Sequence, residues 1–146
     1  MAAVENRSSN LARPRTDYFM RAMTVLFVLL AVSDFTKPFQ HRNDPSHLGL
    51  VILGHRLTTF GANAIGGPLF GAFLAIYAFG LWTQKRWLKP LSVLYAFYVP
   101  TNLTLFWSLH QNPPPTVRFI VIYLFFALGG SVGTALYIGY HRDRLA

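Results

Sequence analysis

With 146 residues, 53% of them hydrophobic and only 12% charged, the chain has about half the charged content of a soluble domain and reads as one compact membrane domain. Its net charge of +8, from 13 Lys and Arg against 5 Asp and Glu, is gathered at the ends of apolar stretches, which points to anionic lipid headgroups and away from nucleic acid. The absence of cysteine excludes disulfides, iron–sulfur clusters, thiolate metal sites and cysteine nucleophiles.

Residues 1–17 are polar, carry Arg7, Arg13 and Arg15, show no periodicity, and are expected to form a flexible basic cytoplasmic arm. An apolar stretch over 22–35, extensible to 18–39, follows Arg21, whose long side chain can reach back to the headgroups. The basic leader and Ala31-Val32-Ser33 together resemble a cleavable signal peptide, but the leader is long and a retained first helix is expected. Residues 36–47 are rich in turn formers and predict an exposed loop. Residues 48–60 are apolar yet carry His55 and Arg56 and are too short to span and return. An amphipathic helix in the interface is expected there, with a re-entrant segment or an extension of the second helix as alternatives.

The run 66–82 holds no ionisable residue and, extended back to Ala62, is long enough to cross about 30 Å of hydrocarbon. After it, Lys85, Arg86 and Lys89 make a charged turn flanked by Trp82 and Trp87 as interfacial anchors. Residues 91–109 predict a third helix bent at Pro100, 111–116 a stiff Pro-rich connection, and 117–140 a fourth helix. Residues 141–146 form a short basic tail. The expected fold is therefore all-α: a polytopic integral membrane protein with four transmembrane helices in an antiparallel bundle over 18–140, and an interfacial or re-entrant segment before helix 2. Nine of the basic residues fall on the side of the arm, the 85–89 turn and the tail, against Lys37, Arg42, Arg56 and Arg118 opposite. That imbalance places both termini in the cytoplasm, and the short loops suit a bacterial inner membrane.

Small residues recur every four positions at Gly67, Gly71 and Ala75, and again at Ala127, Ser131, Ala135 and Gly139, a spacing that lets helix backbones approach closely. Asp34 and Arg56 fall at a similar depth with opposite charge and are expected to pair. His41, Asp44 and His47 offer imidazole and carboxylate ligands to a transition metal, although their spacing matches no compact motif. No histidine is deep enough to hold a transmembrane haem. Asn102 lies two residues beyond Pro100, beside Tyr98 and Trp107, so a bend, a freed carbonyl, an amide and aromatic rings meet as a candidate contact for a quinone, pigment or lipid.

No nucleophile, paired-carboxylate or phosphate-loop arrangement is recognisable. The expected function is non-catalytic: an accessory, scaffold or assembly subunit that meets other membrane proteins, or itself, through its Gly and Ala faces. The alternative is an intramembrane binder or carrier of a small apolar ligand, followed by a metal-dependent enzyme at the outer-face histidines. No cofactor is identified.

Overall fold

The computed structural model of the chain describes residues 17–43, 50–57, 59–109, 117–141 and 145, without the side chains of residues 40–43, 56, 117–120, 122 and 123. The described residues are almost entirely helical: α1 (Tyr18–Asn43), α2 (Phe60–Thr83), α3 (Leu88–Leu109), α4 (Val117–Leu128) and α5 (Thr134–Tyr140). A π-helical turn, Gly129–Gly133, joins α4 to α5 without a break, so residues 117–140 act as one fourth helix. Among the described residues, two helices are long and apolar enough to cross a membrane, Tyr18–Phe39 and Phe60–Thr83. In α3, Tyr95, Tyr98, Pro100, Thr101, Asn102, Thr104 and Trp107 dilute an otherwise apolar sequence of spanning length.

Asp17 starts α1. Its carboxylate accepts from the Met20 amide at 3.2 Å, satisfying one of the donors that a helix N-terminus leaves free. The helix then runs through residues 36–43, where the turn formers predicted a loop. Pro38 is accommodated because a proline removes only its own bond to the carbonyl four residues back, here that of Asp34. Thr59 caps α2, its hydroxyl accepting from Ala62, and Gln84 ends that helix in a left-handed conformation (φ 51°).

Residues 50–57 are not the amphipathic helix that their composition suggested. They form a hairpin, β1 (Val51–Ile52) against β2 (His55–Arg56), with Val51 opposite Arg56 and Ile52 opposite His55. Its two-residue loop, Leu53 and Gly54, has positive φ at both positions (49° and 78°), the turn whose twist matches antiparallel strands. Leucine is a rare first residue for such a turn, so the usual Asn-Gly or Asp-Gly signal is missing.

The helices pack in sequence order. Gly67 meets Asp34 and Lys37, Gly71 meets Ala31 and Phe35, and Trp82 meets Arg21, so α2 ascends as α1 descends. At the α2–α3 turn, Gly80 is pressed by Trp87 and Leu88. The centre is aromatic: the Phe27 ring of α1 lies 4.6 Å from Tyr77 of α2 and 5.8 Å from Tyr95 of α3, and Phe73 lies 5.5 Å from Tyr95. The fourth helix adds Ile138 to this core and brings Gly130 to Phe27.

Two residues that composition assigned to the tails are packed into the fold. Asp17 is buried, and the Tyr137 hydroxyl donates to its carboxylate, 2.9 Å from each oxygen. Leu145 belongs to the buried core, and its carbonyl accepts from Arg86 Nε at 3.5 Å. One end of the molecule thus collects Asp17, Arg21, Trp82, Arg86, Tyr137 and Leu145, while the hairpin lies at the other.

Candidate functional site

The hairpin end is organised by two asparagines. Asn63 is completely buried in the first turn of α2. Its Oδ1 accepts from the Leu50 amide at 3.0 Å, and its Nδ2 donates to the carbonyls of Leu57 at 2.6 Å and Thr59 at 3.0 Å. The Leu57 amide in turn donates to the Leu50 carbonyl, which closes the base of the hairpin. Asn102 does the same for the tip: Oδ1 accepts from the Gly54 amide at 2.8 Å and Nδ2 donates to the Val51 carbonyl at 3.0 Å. Gly54 is required by space as well as by φ, because a Cβ there would stand 2.6 Å from Leu105 Cβ and 2.9 Å from the Leu105 carbonyl carbon.

The Asn102 amide is therefore committed to the protein's own backbone, where it clamps the hairpin. Tyr98 packs 6.2 Å from the Phe70 ring, and Pro100 and Trp107 are half-buried. Elsewhere, buried hydroxyls follow the same pattern: Thr24 donates to Met20 O, Ser92 to Lys89 O and Ser131 to Ala127 O. The buried Tyr77 hydroxyl lies beside Ser92, whose own proton goes to Lys89, and among the described residues Thr134 Oγ1 is buried without a hydrogen-bond partner.

Asp34 is buried in α1, and Lys37 acts on it from one turn along the same helix. The side chain of Arg56, its expected partner, lies outside the described residues, as do the side chain of His41 and the whole of Asp44 and His47. Among the described residues no group of three potential metal ligands is present.

The first small-residue face is turned inward at Gly67 and Gly71, whose missing side chains admit the α1 backbone, whereas Ala75 is exposed. The second does not remain on one face. A π turn holds an extra residue, so positions four apart are rotated out of line across it. Ser131 is completely buried, Ala127 and Ala135 are half-buried, and Gly139 is exposed with nothing within 4 Å of where a Cβ would stand.

Beyond Ala75 the α1–α2 contact opens into a groove of about 510 Å³, lined by Thr24, Val28, Ala31, Val32 and Phe35 from α1 and by Ala75, Ala78, Phe79 and Trp82 from α2. At its Trp82 end the Arg21 guanidinium lies 5.7 Å from the indole centroid, within cation–π range. Sequence reasoning marked Arg21 and Trp82 separately as residues at the membrane surface, but their contact depends on how α1 and α2 register. No family model, curated protein or solved structure matches the chain.

Proposed function

We propose that the chain is a small, non-catalytic integral membrane protein that serves as an accessory, scaffold or assembly subunit of a larger membrane complex. The observation behind this reading is the outer surface of the fourth helix. Phe125, Leu136 and Tyr140 are 74%, 69% and 85% exposed, and Gly129, one turn after Phe125, is exposed with nothing within 4 Å of its Cβ position. Large apolar side chains alone are content in hydrocarbon, but a glycine notch beside them suits the side chain of another helix, since small residues let helices pack where lipid gives no hydrophobic drive.

In this reading the bilayer is crossed four times by an antiparallel bundle. At a rise of about 1.5 Å per residue, α3 and the 117–140 helix each measure about 33–36 Å, enough for the hydrocarbon core. Arg21, Lys85 and Arg86 mark the cytoplasmic end, which carries both termini, and the hairpin marks the outer end of a protein of the bacterial inner membrane. Because the chain has no cysteine, single substitutions report topology cleanly. A membrane-impermeant maleimide added to intact cells should label His55→Cys and leave Lys85→Cys unlabelled until the membrane is opened; the reverse pattern inverts the orientation.

The subunit reading is tested by native mass spectrometry of the protein extracted in mild detergent from its own membrane. Other polypeptides should accompany it at constant ratio, and Gly129→Leu should remove them while leaving the melting temperature of the purified chain unchanged. A chain recovered alone, or a partner indifferent to Gly129→Leu, overturns the reading.

A further inference from the structure

The groove between α1 and α2 is hydrocarbon along its length and cationic at one end. From Thr24 to Phe35 it follows twelve residues of α1, about 16 Å at 1.5 Å per step. Thr24 would make its wall polar, but the Thr24 hydroxyl donates to the Met20 carbonyl at 2.8 Å, leaving its methyl for the groove. Ala75 is small and exposed, and among the described residues no side chain fills the space above it. At the mouth, Arg21 is held over the ring of Trp82, itself part of the lining. Lys85 and Arg86 are exposed in the turn just after Trp82. The carboxylate of Asp17, one turn before Arg21, is buried and accepts from Tyr137 and Met20.

We propose that this groove is a specific site for one anionic phospholipid, with an acyl chain lying between α1 and α2 and the headgroup phosphate on Arg21, supported by Lys85 and Arg86. A neutral apolar ligand would fit the walls but would make no use of the cations at one end. The lipid is bound by the single chain, so the inference stands apart from the subunit reading, and failure of either leaves the other intact.

The test is native mass spectrometry of the purified full-length chain, titrated with phosphatidylglycerol or with phosphatidylcholine of identical acyl chains. One phosphatidylglycerol per chain should be retained, at least ten-fold more tightly than phosphatidylcholine, with the preference weakening as salt rises. Arg21→Gln should erase at least five-fold of that preference. Ala75→Phe should abolish retention of both lipids, and because Ala75 is exposed the melting temperature should not fall. Equal retention of the two lipids, an Arg21→Gln variant that behaves as wild type, or retention by Ala75→Phe overturns the proposal. So does a wild-type dimer that Ala75→Phe dissociates, which would make the groove a contact between two copies.

Discussion

Replacing Asn63 with leucine should cost the fold about 4 kcal/mol and free the hairpin. The amide leaves two groups behind: the Leu50 N–H loses its acceptor and the Leu57 carbonyl loses its 2.6 Å donor, in a place where the Asn63 side chain is fully buried. An orphaned buried polar group costs about 1–3 kcal/mol, and leucine supplies neither partner. The Thr59 carbonyl is less affected, because the Asn63 backbone amide also donates to it. Asn63→Asp separates the two halves of the argument: it can still accept from Leu50 but offers Leu57 no donor, so it should also destabilise. Asn102→Leu should cost less, about 1–2 kcal/mol, because Asn102 is half-buried and water can replace part of what is lost. Thermal unfolding of the purified chain in detergent measures the losses, and trypsin cleavage after Arg56 reports the hairpin directly. An Asn63→Leu protein that melts as wild type and resists trypsin equally would show that the hairpin is held by something else.

What the sequence reveals of this fold follows how local each signal is. The apolar helices over 18–39 and 60–83 are legible because hydropathy is a property of the run itself. The hairpin is not, since each strand has two residues and its turn places leucine in a left-handed conformation. Nor is the roll of Asn102: the residue stands out beside Pro100, but its partners, Gly54 and Val51, are 48 and 51 residues earlier. Asp17 reads as the end of a polar arm until Tyr137, 120 residues later, is brought to it. The stripe from Ala127 to Gly139 assumes one uninterrupted α-helical period, and the π turn at Gly129–Gly133 breaks that period without any proline to announce it. The groove with Arg21 at its mouth has the same origin: its lining alternates between two helices, and only their register puts Ala75 opposite Val28 and Arg21 over Trp82.

That register depends most on Gly67, and Gly67→Val should cost about 3 kcal/mol by forcing α1 away from α2. A Cβ at this position would stand 2.7 Å from the Asp34 carbonyl oxygen and 3.3 Å from Lys37 Cβ. The oxygen cannot step aside as a side chain would, because it belongs to the backbone. It is also the carbonyl that Pro38 deprives of a helical donor, so the Gly67 backbone meets an acceptor left open in the middle of α1. Forcing bulk into a filled contact costs about 1–3 kcal/mol, and valine adds two methyls to the clash while loosening the neighbouring burial of Ala31 and Phe27. The effect should be graded by space. Gly71→Ala should cost less, since its Cβ would lie 3.0 Å from the Ala31 carbonyl and 3.0 Å from a Phe35 ring carbon that can rotate away. Gly61→Ala, with nothing within 4 Å, should be neutral or gain up to about 1 kcal/mol from helix propensity. Unfolding of the three variants in detergent sets the order; a Gly67→Val protein as stable as Gly61→Ala would mean that α1 and α2 do not touch where these distances place them.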